Sequence, residues 1–106
     1  MKRTSSPRTE RRRAGTWLKR LREDAELTQL DVANRVGFKY YAFVSQVETG
    51  FSRLPTEKME AWARTLRVDP QQFARHLLSF YEPELHRMLY ETESRERDAD
   101  VRGVRQ

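Results

Sequence analysis

The sequence contains no cysteine. That excludes disulfides and thiolate metal sites, and it suits a reducing, cytosolic setting. No apolar run approaches the roughly 20 residues a membrane span needs. The basic N-terminus is not followed by the apolar stretch of a secretory signal, so no membrane association is expected. The two histidines, His76 and His86, lack the H-x-x-x-H or H-E-x-x-H spacing of a metal site. There is no glycine-rich phosphate loop and no Gly-x-Ser-x-Gly elbow. The carboxylates fall within charged surface patterns. Enzymatic activity, a metal and a cofactor are therefore not expected. No segment alternates like a strand, and nothing repeats.

What is present is charge, unevenly placed. Residues 1–13 hold six basic side chains (Lys2, Arg3, Arg8, Arg11, Arg12, Arg13) against Glu10, a balance of +5 that equals the net charge of the whole 106-residue chain. Residues 14–106 therefore sum to zero. A segment rich in Arg, Ser, Thr and Pro buries little apolar surface, so residues 1–13 read as a disordered basic arm. Such an arm either neutralises phosphates or merely solubilises the chain. The remainder, with 37% hydrophobic and 35% charged residues over the chain, suits one small domain of marginal stability unless it dimerises or gains helices.

From Ala14 the periodicity is helical. Trp17, Leu18, Leu21 and Ala25 recur at helix spacing. In "ELTQLDVANRVG", Thr28 is a good N-cap, Asp31 suits the first turn, Leu30, Val32, Ala33 and Val36 form an apolar side, and Gly37 ends the helix in the left-handed region. Residues 40–49 read as a third helix. Tyr40, Phe43, Val44 and Val47 form its inner stripe at i, i+3, i+4, i+7, which assigns most of the ring surface of "VGFKYYAFVSQVETG" to the core. Tyr41, Ala42, Ser45, Gln46 and Thr49 lie on the other side, and Gly50 stops the helix. A fourth helix follows Thr56, with Met59, Trp62, Ala63 and Leu66 inward. A fifth spans about 70–80, and a short sixth carries Leu85, Met88 and Leu89. Residues 93–106 read as a disordered charged tail.

A capped helix, a glycine turn and an amphipathic helix make a helix-turn-helix arrangement, whose second helix suits the major groove of B-DNA. Through "LKRLREDAELTQLDVANRVG", "VSQVETG" and "LPTEKMEAWARTLRVDP", residues 14–70 resemble the Cro and phage-repressor (XRE-type) family of bacteria and phages. The resemblance implies an all-α, lambda-repressor-like five-helix DNA-binding domain. Residues 71–92 resemble the C-terminal helical extension of some bacterial members.

The resemblance also assigns roles. Gln29 is similar to a glutamine that bonds a backbone phosphate. Tyr41, Ala42 and Gln46 match base-reading positions. Thr49, Phe51, Ser52 and Arg53 stand where a post-helix loop meets phosphate, and Arg22 with Glu48 matches a structural ion pair. Lys39, Tyr40 and Ser45 complete the expected DNA-binding set. The chemistry agrees. Glutamine can pair bidentately with adenine N6 and N7, Ala42 can touch a thymine methyl, and Tyr41 can stack or reach a phosphate. One departure stands out: the turn before the recognition helix is one residue longer than usual. It offers Lys39 and Tyr40 where a Ser or Thr cap is customary, so the helix start is open by a residue.

Two functional classes stay in play. The first is a sequence-specific transcriptional regulator, a repressor, which binds double-stranded DNA as a dimer because one helix-turn-helix reads few base pairs. The second is a protein-interaction module, or an antitoxin-like partner, that binds another regulator through its C-terminal helices. Phe73, Leu77, Phe80, Tyr81, Leu85, Met88 and Leu89 would either form a dimer seam or complete the monomer's core.

Overall fold

The computed structural model describes residues 6–91. The expectations for residues 1–5 and for the tail at 93–106 lie outside them. The described chain is all helical: α1 (Pro7–Asp24), α2 (Gln29–Val36), α3 (Ala42–Thr49), α4 (Thr56–Thr65), α5 (Pro70–Tyr81) and a short α6 (Pro83–His86) that continues into a π-helical turn, Arg87–Glu91. None of these helices is long and apolar enough to cross a membrane.

The first helix begins earlier than its apolar periodicity suggests. Ser6 caps it by accepting from the Thr9 amide at 3.1 Å, Pro7 stands at the first helical position, and Glu10 lies in the first turn. Each of these favours a helix start. The expectation of a disordered arm over 1–13 is thereby corrected for residues 7–13, which form the first turns of α1. Packing reinforces the local signals. Arg11 Nε donates to the Gly50 carbonyl at 3.1 Å, fixing this end of α1 to the exit of α3.

Ala14 and Leu18 of α1, Val32, Ala33 and Val36 of α2, and Val44 and Val47 of α3 point into one core. Leu54, Trp62, Ala63 and Leu66 close it from the α4 side, and Phe73 and Leu77 from α5. Trp62 is wholly buried, while Trp17 is half-buried, stacked on His76 with ring centroids 4.2 Å apart. Because Phe73 and Leu77 are sealed inside the monomer, they leave the dimer-seam set and complete the core. Residue 70 is therefore no structural boundary: α5 packs on both α1 and α4.

Two close approaches set the position of α3. Gly15 lies against the carbonyls of Glu48 and Val47, where a Cβ would collide with the first and stand 2.7 Å from the second. Gly50 adopts φ +85°, and a Cβ there would stand 2.6 Å from Arg12 Cα.

Candidate nucleic-acid interface

The turn between α2 and α3 follows from its residues. Gly37 takes φ +95°, and the amides of Gly37 and Phe38 both donate to Ala33 O at 2.9 Å, closing α2. Lys39, Tyr40 and Tyr41 offer no capping side chain, and Tyr41, the N-cap residue, makes no side-chain cap bond. The first turn closes instead through Phe43 N to Tyr40 O at 3.2 Å and Val44 N to Tyr41 O at 3.0 Å. As a result α3 starts at Ala42, two residues later than the 40–49 expected from periodicity.

That later start corrects a second expectation. Tyr40 and Phe43 are not on the buried stripe; they are 57% and 43% exposed. An aromatic ladder links them to the core. Phe38 meets Trp62 edge-on at 5.9 Å and Phe43 at 5.5 Å, and Phe43 meets Tyr40 at 6.3 Å. Lys39 lies over Tyr40 and Lys58 over Phe38, each 5.5 Å from the ring centre. Tyr41, on the other flank, lines a shallow groove of about 400 Å³ with Thr28, Gln29 and Leu30 of the α2 entrance.

The inner side of α3 is held by Val44, Val47 and Glu48, all buried. Glu48 is the node. Its Oε2 accepts from Arg22 Nε at 2.7 Å, and its Oε1 accepts from Arg22 Nη2 at 3.2 Å and from Gln29 Nε2 at 3.0 Å. Arg22 Nη1 donates to Leu27 O at 2.7 Å. The hydrogen bond to Glu48 holds the Arg22 guanidinium above its ordinary pKa, so Arg22 stays charged. Gln29, assigned to phosphate by resemblance, commits one amide hydrogen to Glu48 and keeps the other.

With that side locked, Ala42, Gln46 and Thr49 recur at i, i+4 and i+7 along the opposite side of α3. Ala42 and Thr49 are exposed, and Gln46 is half-buried beside Ser45, which is also half-buried. The Thr49 hydroxyl donates to Gln46 O at 3.2 Å, and the Ser52 amide donates to the same carbonyl at 3.1 Å, so the exit loop wraps back onto α3. Arg53 is not a free cation. Its Nη1 pairs with Glu82 Oε2 at 2.8 Å, and its guanidinium lies 4.7 Å from the Tyr81 ring centre. Tyr81 in turn accepts from the Leu54 amide at 3.0 Å, and burial raises its pKa.

A family model for the helix-turn-helix domain matches residues 13–76. The chain belongs to the helix-turn-helix domain family. No curated protein matches it. The family match spans α1 from its second turn to the middle of α5, so the helix-turn-helix domain includes Phe73 and the start of α5. This agrees with the core packing and with the XRE-type resemblance. Arg8, Arg11 and Arg12, expected in a disordered arm, are helical, and Leu30, expected on the apolar side of α2, is exposed beside Tyr41. The signal for the first three was the Ser6-Pro7 start followed by Glu10.

Proposed function

We propose that this helix-turn-helix protein is a sequence-specific DNA-binding transcriptional regulator, a repressor, that inserts α3 into the major groove. The observation that carries the reading is the strip of Ala42, Gln46 and Thr49, held outward because the other side of α3 is locked by Val44, Val47 and the Arg22–Glu48 pair. A small apolar side chain, a two-sided amide and a hydroxyl suit base edges: a thymine methyl, an adenine and a nearby phosphate or base. Gln29, Lys39, Tyr40, Tyr41, Ser45, Ser52 and Arg53 surround the strip as candidates for backbone contact, Arg53 only by sharing its charge with Glu82. The protein works in the cytoplasm, associated with the nucleoid.

The protein reads a two-fold operator as a homodimer, since a single unit specifies only a short half-site. Support comes from Leu85, Met88 and Leu89 on α6 and the π-helical turn, all exposed. Phe80 and Tyr81, partly buried against the core, stand at the inner edge of that surface. The same apolar surface would suit a different regulator, and sedimentation of the purified chain separates the two: a homodimer has twice the monomer mass without any partner.

Selection of duplexes from a random pool by the purified protein tests the main reading. A reproducible, two-fold symmetric consensus whose affinity falls steeply with salt is the expected result. Retention of no duplex at low salt, or retention without sequence preference, overturns it.

A further inference from the structure

Residues 7–12 precede the stretch matched by the helix-turn-helix family, yet they are helical and pack beside the exit of α3. There Arg8, Arg11 and Arg12 line a cleft of about 480 Å³ together with Thr49, Gly50 and Phe51. We propose that this cleft seats a backbone phosphate of the bound duplex, making the first turns of α1 a rigid clamp beside the recognition helix. The proposal rests on the DNA-binding reading and adds a binding site to it.

Three observations carry it. The cleft is built around a fixed arginine and not merely a basic run. Arg11 Nε is fixed to Gly50 O at 3.1 Å, which leaves its Nη groups for another acceptor, and the α1 backbone lies so close to Gly50 that a Cβ there would stand 2.7 Å from Arg12 N. Their charge is also uncompensated. Arg13 pairs with Glu10 and Arg22 with Glu48, whereas Arg8, Arg11 and Arg12, like Arg20, Arg35, Arg67 and Arg75, meet no carboxylate among the described residues, and these three gather at one cleft. Finally, Thr49 belongs both to the cleft and to the outward strip of α3. An anion in the cleft is therefore contiguous with a groove read by Gln46. That continuity favours a duplex phosphate over a free anion or an acidic peptide. Guanidinium forks match phosphate oxygens in shape and charge, and a preset geometry loses little entropy on binding.

The test uses the full chain and a duplex selected from the random pool, with affinity followed by fluorescence anisotropy across a salt series. The variant is Arg8→Gln/Arg12→Gln, which spares the Arg11 contact; circular dichroism and the melting temperature verify its fold. Each phosphate contact contributes about 0.9 to the slope of log affinity against log salt. The expected result is a slope flattened by about 1 per protomer, with the selected consensus unchanged. The charge-preserving Arg8→Lys/Arg12→Lys retains most of the slope. Single uncharged methylphosphonate linkages are then walked along the flank of the half-site. At one position the linkage weakens the wild type but not the Gln variant. A folded Gln variant with the wild-type slope, or no linkage showing that coupling, overturns the clamp while leaving groove reading intact. A wild type that retains no duplex overturns both.

Discussion

Arg22 of α1 and Glu48 of α3 meet side-on, Nε to Oε2 at 2.7 Å and Nη2 to Oε1 at 3.2 Å. Gln29 of α2 joins the same carboxylate at 3.0 Å. Three helices thus share one buried carboxylate, and the orientation of α3 is tied to the other two. Removing either partner leaves an unpaired charge in the core. Glu48→Ala is expected to cost about 3–5 kcal/mol, the usual cost of breaking a buried pair. The double change Arg22→Met/Glu48→Leu, which removes both charges and keeps apolar volume, should be clearly less destabilised. Urea unfolding of Glu48→Ala and of the double variant checks this; a double variant as damaged as Glu48→Ala would show that the unpaired charge is not what costs stability.

Gly15 and Gly50 form a second tether. Gly15→Ala would force a methyl group between α1 and the Glu48 and Val47 carbonyls. The helices must then separate, at an expected cost of about 1–3 kcal/mol, as for overpacked cores. A matching substitution at exposed Ser6 loses only the cap, about 1 kcal/mol. Thermal unfolding that ranks Ser6→Ala above Gly15→Ala in damage would contradict the close-approach account.

Much of this architecture was legible because the signals were local. Thr28 with Asp31 forms a reciprocal capping box, and Gly37 and Gly50 adopt the left-handed conformations that end α2 and α3. The Ser6-Pro7 start was equally local, but the surrounding arginines masked it: composition argued for disorder while the cap and the docking of Arg11 on Gly50 decided for helix. Tyr40 and Phe43 misled for a different reason. Their spacing matched an inner stripe only if the helix began at residue 40. Without a capping side chain it began at Ala42, which left Tyr40 outside the helix against Phe43, while Phe43 in the first turn is partly exposed against Phe38. Pattern alone left Phe73 and Leu77 open between a dimer seam and the core, because it cannot reveal that α5 packs on both α1 and α4. In the candidate site, the pairing of Arg53 with Glu82 joins residues distant in sequence and leaves no periodic trace.

His76 gives the fold an acid dependence. His76 is largely exposed, but the partial cover of its ring by Trp17 and Phe80, and to a smaller degree the charge of His86, holds its pKa modestly below the ordinary imidazole value. The ring stacks on Trp17 at 4.2 Å and meets Phe80 edge-on at 5.2 Å. Below about pH 6.5 the unfolded chain takes up the proton before the folded one does. Stability therefore declines as pH falls from 6.5 toward the lowered folded-state value, and it is unaffected by this group above that window. His76→Gln should flatten the change in melting temperature between about pH 7.5 and about pH 5, even if it lowers stability at both. An unaltered pH profile would assign the acid sensitivity elsewhere.

Gln46 provides the sharpest test of base reading. It stands between Ala42 and Thr49 on the outward side of α3 and is half-buried. No side-chain hydrogen bond within the described chain competes for that amide; the bonds near it use the Gln46 backbone carbonyl. An amide presents a donor and an acceptor together, the pattern that adenine offers in the major groove, and a good bidentate pair discriminates by about 1–3 kcal/mol. Gln46→Ala should therefore keep the melting temperature and the salt slope, which report the fold and the phosphate contacts. It should lose preference at one position of each half-site, by roughly tenfold or more. Gln46→Glu should shift that position toward cytosine, whose N4 amino group donates to a carboxylate. If random-pool selection returns the same consensus for the wild type and both variants, specificity is carried by other residues and the outward strip of α3 is only a positioning surface.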